Sequence, residues 1–392
     1  MNKKQILSFL LATTLTATVA AVPAVALAKA NETAKQTYVP TVTSKENDTM
    51  IDLLSGDILK FAQNYSKGLS DKYVKSGEGI VAEDKYFPTP VTLNWQAEEG
   101  ALYYTLKLST KPDLSNAKKY VTFVNSHVLE DLFMGTKYYY QVVAQFENKT
   151  VKSQIFTFET SYLPRTIFVE GVSNTRDAGG YYTTDGTHRI RQGLVYRGGK
   201  MEDITQAGKD KMLNFYGIKT DLDLRAEKTV SPLGDSVNFI NVSGPYYAGG
   251  GTAGVGIDSL KDSSKGPWVG TYRDALIKEI KTFANPDNYP IYVHCSLGRD
   301  RTGTIIFLIN ALCGVGDKDL YLDYETSMFS VLGVADHQTG TNMANTFTSL
   351  FNYLKLTYKQ KTMAENVEKF MLDIGITQAE IDSIRNVLLE EV

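Results

Sequence analysis

The sharpest limit on the fold is a buried strand that leads through a short polar loop into a buried helix. Residues 289–293 (Tyr-Pro-Ile-Tyr-Val) are apolar and short, as a strand is, and residues 304–309 (Thr-Ile-Ile-Phe-Leu-Ile) are apolar and helix-like. A strand that continues into a helix is the repeating unit of α/β domains. Because this alternation runs through residues 163–392, we predict an α/β domain there, with a mainly parallel central sheet flanked by helices.

A different pattern precedes this domain. Apolar residues alternate with polar ones in four runs, at residues 91–95, 104–108, 138–144 and 155–157. Period-two runs separated by short polar turns predict an all-β, immunoglobulin-like sandwich domain over residues 86–162. Residues 31–85 are predicted to form a polar lead followed by a short helical segment, marked by the spacing of Ile51, Leu54, Ile58 and Phe61.

The N-terminus predicts a secretory signal peptide over residues 1–30. Lys3 and Lys4 form a basic start, an uncharged run covers residues 5–28, and small residues at 26, 28 and 30 offer cleavage sites. The alternative is a retained membrane anchor, because the uncharged run is long enough to span a bilayer. Cleavage predicts a secreted or cell-surface protein with no integral membrane segment.

Composition excludes several classes of function. A net charge of −3 does not suit a general nucleic-acid binder. The four histidines and two cysteines lack metal-ligand spacing, so no metal site is predicted. The glycine-rich residues 248–256 lack the Gly-Lys-Ser/Thr ending of a nucleotide loop. They are interpreted instead as a flexible lid that covers the active site, within a glycine-rich stretch that extends to residue 266. No cofactor is predicted, and the oligomeric state is left open.

The loop between strand and helix has the composition of an oxyanion site. Cys295 and Arg301 are separated by five residues, and Gly298 allows a turn that other residues resist. Backbone N–H groups and the start of a helix favour bound anions, and an arginine can hold two phosphate oxygens. The same field favours a nucleophilic thiolate at Cys295. The predicted substrate-binding residues of the loop are Ser296, Leu297, Gly298, Arg299 and Thr302.

Export usually brings disulfides, but the two cysteines are not predicted to pair. A helix over residues 302–313 would separate them by roughly 16 Å at about 1.5 Å per residue. A disulfide needs Cα atoms within about 7 Å. We therefore expect a free thiol at Cys295 and a buried, apolar role for Cys313.

Phosphoryl transfer to sulfur is the reaction that suits this loop. Cys295 would attack the phosphorus of a monoester, Arg301 would bind the phosphate, and water would hydrolyse the phosphocysteine. The leaving group needs a proton, for which Asp300 is the nearest candidate acid. Asp258 or Asp262 in the glycine-rich stretch are the alternatives.

These residues resemble the signature of cysteine-dependent tyrosine and dual-specificity phosphatases. The string His-Cys-Ser-Leu-Gly-Arg-Asp-Arg-Thr-Gly, residues 294–303, is similar to that of the secreted bacterial branch. Companion elements at residues 174–180, 194–199, 223–225 and 370–377 resemble the same branch in the same order. Separately, Trp95, residues 100–104 and residues 132–144 resemble fibronectin type III domains.

The resemblance implies a hydrolase of phosphotyrosine in proteins and, in some members, of phosphoinositides. It implies that Arg176, Asp177 and Arg197 line the phosphate site and that His294 tunes the thiolate. Asp223 and Arg225 are interpreted as a structural ion pair that supports the loop. Arg299 stands where the branch often has lysine, which leaves a preference between a phosphotyrosine protein and a phosphoinositide open.

A third hypothesis is non-enzymatic. In that case the sandwich domain would bind a surface, and the α/β domain would bind phosphorylated ligands without turnover. Retention of the cysteine, the arginine and Thr302 together argues against it.

Overall fold

The computed structural model of the protein describes residues 46–67, 86–226, 228–243, 270–330 and 343–392. Contacts between Cα atoms divide the chain into two compact units. In the described part of the chain, the first unit comprises residues 46–47, 93–127 and 138–157, and the second comprises the remainder. The predicted domain boundaries at residues 86 and 163 stay predictions.

The described strands follow the chain in this order: β1 Thr49–Ile51, β2 Val91–Asn94, β3 Tyr103–Ser109, β4 Lys118–Thr122, β5 Ser126–Leu129, β6 Lys137–Gln145, β7 Thr150–Lys152, β8 Phe156–Thr160, β9 Arg176–Asp177, β10 His188–Ile190, β11 Val195–Gly198, β12 Thr220–Asp223, β13 Asn238–Asn241, β14 Ile291–His294 and β15 Leu389–Glu391. The described α-helices are α1 Gly56–Gln63, α2 Gln206–Asp210, α3 Gly270–Ala284, α4 Asp300–Leu312, α5 Asp317–Thr326, α6 Met343–Tyr358, α7 Met363–Ile374 and α8 Gln378–Leu388.

The first unit contains an antiparallel sheet. Its strands run in the order β4-β3-β6-β7, and Leu106 of β3 lies opposite Tyr120 of β4 and Val142 of β6. One face buries Leu106, Tyr140 and Val142 completely, as the period-two pattern predicts. The four predicted strands are found, and the described elements from β2 to β8 are all strands. An immunoglobulin-like sandwich and a fibronectin type III relationship stay predictions.

The second unit contains a five-stranded, mainly parallel sheet, which confirms that part of the prediction. Its order is β13-β12-β14-β11-β9, with parallel pairing throughout except between β11 and β9. All four residues of β14 are buried, because this strand lies between two neighbours and below helices. Val293 of β14 lies opposite Arg197 on one side and Leu222 on the other. The loop that begins at Cys295 therefore leaves the carboxyl end of the central strand.

The N-terminal helical segment belongs to the second unit, a role that its sequence did not reveal. β1 pairs in parallel with β8, through Thr49 and Phe158. The apolar face of α1 buries Ile58 and Phe61 completely. Tyr65 and Tyr86 join these side chains in the same core cluster as the central strand. Residues in the ranges 48–67 and 86–92 thus contribute to the core of the second unit.

Capping residues fix the helices at the C-terminal end of the second unit. Thr377 and Glu380 form a capping box at α8, and Thr362 and Glu365 form a second one at α7. Gly375 ends α7 in the left-handed conformation, with φ of 104°. β15 then pairs with β10 in an antiparallel ladder. These contacts hold the last residues of the chain in the second unit.

Several predictions fall outside the described residues. They are the signal peptide over residues 1–30, the polar lead up to residue 45, and the glycine-rich segment with Asp258 and Asp262. In the ranges that the structure describes, no helix is both long and apolar enough to cross a membrane. Within those same ranges, no cluster of three or more His, Cys, Asp or Glu side chains could hold a metal ion.

Candidate active site

The loop over residues 295–299 joins β14 to α4. Cys295 is 4% exposed and lies directly after the buried strand, and α4 begins at Asp300. Gly298 has φ of 68°, and a Cβ there would lie 2.2 Å from the carbonyl oxygen of Gly198. Only glycine satisfies both conditions, so the turn requires this residue. The loop is thus closed tightly against the end of β11.

Three successive loop carbonyls are bound from outside the loop. The Lys200 amide donates to the Ser296 oxygen at 3.2 Å, Asn174 Nδ2 to the Leu297 oxygen at 2.9 Å, and Arg197 Nη2 to the Gly298 oxygen at 2.8 Å. In a planar trans peptide the N–H points away from the C=O. Binding these carbonyls therefore turns the following N–H groups in the opposite direction, as an anion-binding nest requires.

A buried carboxylate, Asp323 of α5, organises the donors behind the loop. It binds Arg176 Nε at 3.0 Å and also Arg197 Nη1. Burial raises the pKa of Asp323, but the charges of Arg197 and Arg176 lower it more, and the net direction is down. Arg176 Nη1 in turn donates to Asn174 Oδ1 at 2.6 Å. Asp323 thus orients Arg197, which binds the Gly298 carbonyl. Through Arg176 it also orients Asn174, which binds the Leu297 carbonyl.

Arg176, Asp177 and Arg197 were predicted to line the phosphate site, and their placement favours a supporting role instead. All three are at most 1% exposed. Asp177 binds Arg165 Nη1 at 2.6 Å and accepts from the Gly179 and Gly193 amides. The Arg176, Asp177 and Arg197 atoms named above are engaged within the protein, so their direct contact with a substrate would require these bonds to break.

Arg301 lies in the first turn of α4. Its Nη1 donates to the carbonyl oxygen of Leu224 at 2.9 Å, and the Leu224 amide donates to the His294 carbonyl at 2.9 Å. The guanidinium is therefore tied to the residue that follows β12, next to the end of β14. These two contacts thus place Arg301 beside the cysteine loop, and its binding of phosphate stays a prediction.

The surroundings of Cys295 favour the thiolate. Burial raises the pKa of this thiol, but the hydroxyl and amide of Thr302 lower it, Arg301 lowers it further, and the net direction is down. The charge of Asp300 opposes this shift. Cys313 shows the contrast, because burial raises the pKa of its thiol to about 12. Both cysteines are free and buried, so the two thiols differ in reactivity by environment alone.

His294 is completely buried beside the nucleophile. Its Nε2 lies 2.9 Å from Asp221 Oδ1, and its Nδ1 lies 3.4 Å from the Cys295 carbonyl oxygen. Burial lowers the pKa of His294, but the hydrogen bond and charge of Asp221 raise it more, so the net direction is up. His294 thus contacts the loop backbone, and its predicted tuning of the thiolate stays a prediction. Asp221 was not predicted, although an acidic residue in an apolar strand was a signal for it.

Asp300, the predicted acid, is held by its neighbour. Arg299 Nε and Nη2 each lie 2.9 Å from one carboxylate oxygen of Asp300. The effect of Asp300 on the Cys295 pKa shows that the two groups interact electrostatically. The structure thus places Asp300 near the thiol but gives no direct sign of proton transfer. The predicted ion pair of Asp223 with Arg225 is confirmed at 2.7 Å.

The polar network behind the loop was the main feature that sequence reasoning missed. Asn174 stood in a recognised motif without an assigned role. Asp323 lies in a helix whose sequence, Asp-Lys-Asp-Leu-Tyr-Leu-Asp-Tyr-Glu-Thr, gives no sign that one aspartate is buried. Its partner Arg176 is 147 residues away along the chain. Only the fold brings them together.

Comparison with known proteins supports this geometry. Residues 167–390, more than half of the chain, match the model of the tyrosine phosphatase family. A Cupriavidus necator protein, named provisionally as a tyrosine-protein phosphatase, is 28% identical over 166 residues, which cover 39% of this chain and 59% of that protein. The Debaryomyces hansenii protein OCA1, with the same provisional name, is 28% identical over 121 residues, 31% of this chain and 56% of that one. The chain thus spans less than two thirds of either relative.

Solved structures give weaker likenesses. The catalytic core of the S. cerevisiae PP-IP phosphatase Siw14 is 18% identical with a TM-score of 0.26, over 41% of this chain and 82% of that one. An Fn3-like protein from Clostridium thermocellum is 24% identical with a TM-score of 0.17, over 21% and 86%. Likenesses this weak do not show the fold of the chain. The match over residues 167–390 shows its family: the chain belongs to the tyrosine phosphatase family.

Proposed function

We propose that this protein hydrolyses phosphate monoesters, foremost phosphotyrosine in proteins, through a phosphocysteine intermediate on Cys295. The observation that carries the proposal is the geometry of the loop: it begins at a buried cysteine, and its Ser296, Leu297 and Gly298 carbonyls are bound from outside the loop. The surroundings of Cys295 also lower the pKa of its thiol. A nucleophile and an anion-binding backbone then meet at one place. Family membership supports phosphatase chemistry in general.

In the first step, Cys295 Sγ attacks phosphorus, the sulfur–phosphorus bond forms and the phosphorus–oxygen bond to the leaving group breaks. Arg301 and the loop amides stabilise the charge on the equatorial oxygens. Asp300 gives its proton to the leaving oxygen. In the second step, a water attacks phosphorus, Asp300 takes up a proton from that water, and the sulfur leaves as thiolate with release of inorganic phosphate.

The two cysteines of the chain provide a matched test. Cys295→Ser should abolish turnover of p-nitrophenyl phosphate and of phosphotyrosine peptides, and a labelled phosphoenzyme should form only on residue 295. Cys313→Ser removes a buried thiol of high pKa and should leave turnover intact. Normal turnover by Cys295→Ser would refute the mechanism. Cys295-dependent phosphate release would in turn exclude the non-enzymatic alternative.

The second candidate substrate is a phosphoinositide or inositol phosphate. Its support is Arg299, a cation inside the loop that could meet additional phosphate groups. In the structure Arg299 binds the candidate acid Asp300 with two hydrogen bonds. The test compares phosphotyrosine peptides with phosphoinositides for Arg299→Ala and Arg299→Lys. If neither variant changes the ratio of the two activities, Arg299 does not select the substrate.

Export and a fibronectin type III-like fold for residues 86–162 complete the proposal. They are supported by the basic, uncharged and small-residue pattern of residues 1–30 and by the period-two strands. Mass spectrometry of the mature N-terminus after expression in a secreting bacterium tests the first. An uncleaved chain in the cytoplasm would contradict it.

A further inference from the structure

A tyrosine outside the family match reaches the network behind the loop. Tyr86 lies just before β2, outside the matched residues 167–390. It is 2% exposed, and its ring lies in the core of the second unit. Its hydroxyl donates to Asn174 Oδ1 at 3.3 Å and accepts from Arg176 Nη1 at 3.3 Å. Tyr86 therefore contacts Asn174, which binds the Leu297 carbonyl, and Arg176, which binds Asn174.

The contacts of Asn174 fix which way its amide points. Its Oδ1 accepts from Arg176 Nη1 at 2.6 Å as well as from Tyr86. A flipped amide would present its NH₂ group to the Arg176 donor, which has no acceptor to offer. The Nδ2 group must therefore face the Leu297 carbonyl, to which it donates at 2.9 Å. Asn174 also holds a left-handed backbone, with φ of 56°, which carries the side chain to this position.

We propose that Tyr86 is a positioning residue for the phosphate-binding loop, acting through Asn174 on the Leu297 carbonyl. This inference rests on the proposed function of the Cys295 site. The Leu297 carbonyl and the Gly298 amide belong to one planar peptide, so fixing the carbonyl fixes the direction of that N–H group. The Tyr86 hydroxyl thus helps to orient the Gly298 N–H group as an oxyanion donor before substrate binds.

The burial of apolar side chains before β2 does not by itself explain the contact between the Tyr86 hydroxyl and Asn174. Ile58 and Phe61 are completely buried apolar side chains and account for packing. Tyr65, in the same segment, donates its hydroxyl to Glu325 at 2.8 Å, away from the loop carbonyls. A phenylalanine at position 86 would keep the packed ring and remove only the polar contact. The hydroxyl and the ring can therefore be tested separately.

The test is Tyr86→Phe in the full chain. We expect orthovanadate inhibition and kcat/KM for p-nitrophenyl phosphate to weaken by about 5- to 10-fold, the usual effect of one lost hydrogen bond. We also expect the pH midpoint of Cys295 alkylation to rise, because the loop amides also stabilise the thiolate. Tyr289→Phe is the matched control. It removes a buried hydroxyl that donates to the Phe283 carbonyl at 2.6 Å, before β14 begins, and should leave vanadate inhibition unchanged.

A double-mutant cycle with Asn174→Ala tests the route. If Tyr86 acts through Asn174, Tyr86→Phe should have no further effect on vanadate inhibition once Asn174 is alanine. The inference is overturned if vanadate inhibits Tyr86→Phe as strongly as the wild type, or if Tyr289→Phe weakens vanadate inhibition equally. It is also overturned if the effects of Tyr86→Phe and Asn174→Ala on vanadate inhibition simply add. Failure of the proposed function would look different, because the wild type itself would then lack Cys295-dependent turnover.

Discussion

Thr302 is one of the residues that favour the thiolate of Cys295. Its hydroxyl and amide lower the pKa of the thiol against the rise that burial imposes, and Arg301 lowers it further. Thr302→Val removes the hydroxyl and keeps the amide and the branched shape. We expect the pH midpoint of Cys295 alkylation by iodoacetamide to rise and the alkylation rate near neutral pH to fall several-fold. Cys313 should stay unmodified in both proteins, and an unchanged midpoint would contradict the role of the hydroxyl.

The contact between His294 and Asp221 should make stability depend on pH. The raised pKa of His294 means that its contribution is complete below the unfolded value of about 6.5 and is lost as pH rises through the folded value. Asp221→Asn should therefore lower the free energy of unfolding by about 3 kcal/mol at acid pH and by less at alkaline pH. Urea denaturation at several pH values measures this difference.

Ser231→Ala is the control for that measurement. The Ser231 hydroxyl donates to the other carboxylate oxygen, Asp221 Oδ2, at 2.6 Å. Its removal should cost about 1.5–3 kcal/mol, as usual for a hydrogen bond to a charged group, without a comparable trend across the titration of His294, because serine itself does not titrate there. Equal losses for Asp221→Asn at acid and alkaline pH would show that charge on His294 is not involved.

Helix α3 carries a carboxyl group in an apolar face. Glu279 is 1% exposed and lies in the same buried face as Leu276 and Ile280. Burial raises its pKa well above the usual range, and the charge of Arg301 lowers it only in part. The unfolded chain ionises this group first, near pH 4.3, so wild-type stability should fall as pH rises from there to the folded pKa.

Glu279→Gln should remove this penalty. We expect the variant to gain stability over the wild type by up to about 1.4 kcal/mol per pH unit within that interval. Thermal unfolding across the pH range provides the measurement. Glu391→Gln alters an exposed carboxyl group and should show no such trend. A constant difference between Glu279→Gln and the wild type would mean that Glu279 ionises normally in the fold.

The sequence predicted those elements whose periodicity is long enough to read. The spacing of Ala275, Leu276, Ile280 and Phe283 predicts a helix over residues 272–283, and α3 runs from Gly270 to Ala284. β9 has only two residues, both charged, and β4 is mostly exposed. Neither shows an apolar period, because their strand conformation comes from pairing with β11 and β3. Such strands cannot be found before their neighbours are known.

The site divides in the same way. Cys295, Arg301 and Thr302 were predictable, because one loop and one helix turn hold them close together along the chain. Asp323 was not, since its partners Arg176 and Arg197 are distant in sequence and arginine is usually exposed. The burial of those two arginines also changed their interpretation from substrate contacts to supports of the loop.

The second unit depends on three separate stretches of chain. A truncated protein that begins at residue 163, the predicted domain start, would lose the buried side chains of α1, and each such side chain contributes about 1.5–3 kcal/mol. We expect it to unfold at a much lower temperature than a protein that begins at residue 46, and to lose turnover. Calorimetry of both chains measures this, and equal transition temperatures would contradict it.

This discontinuous core has a consequence during synthesis on the ribosome. α1 and Tyr65 are translated early, but the α5 residues that they meet follow more than two hundred positions later. At about 5–20 residues per second, the apolar face of α1 waits on the order of 10–60 s for its partners. A nascent chain therefore carries an uncovered amphipathic helix through most of its translation, which is the kind of segment that chaperones bind.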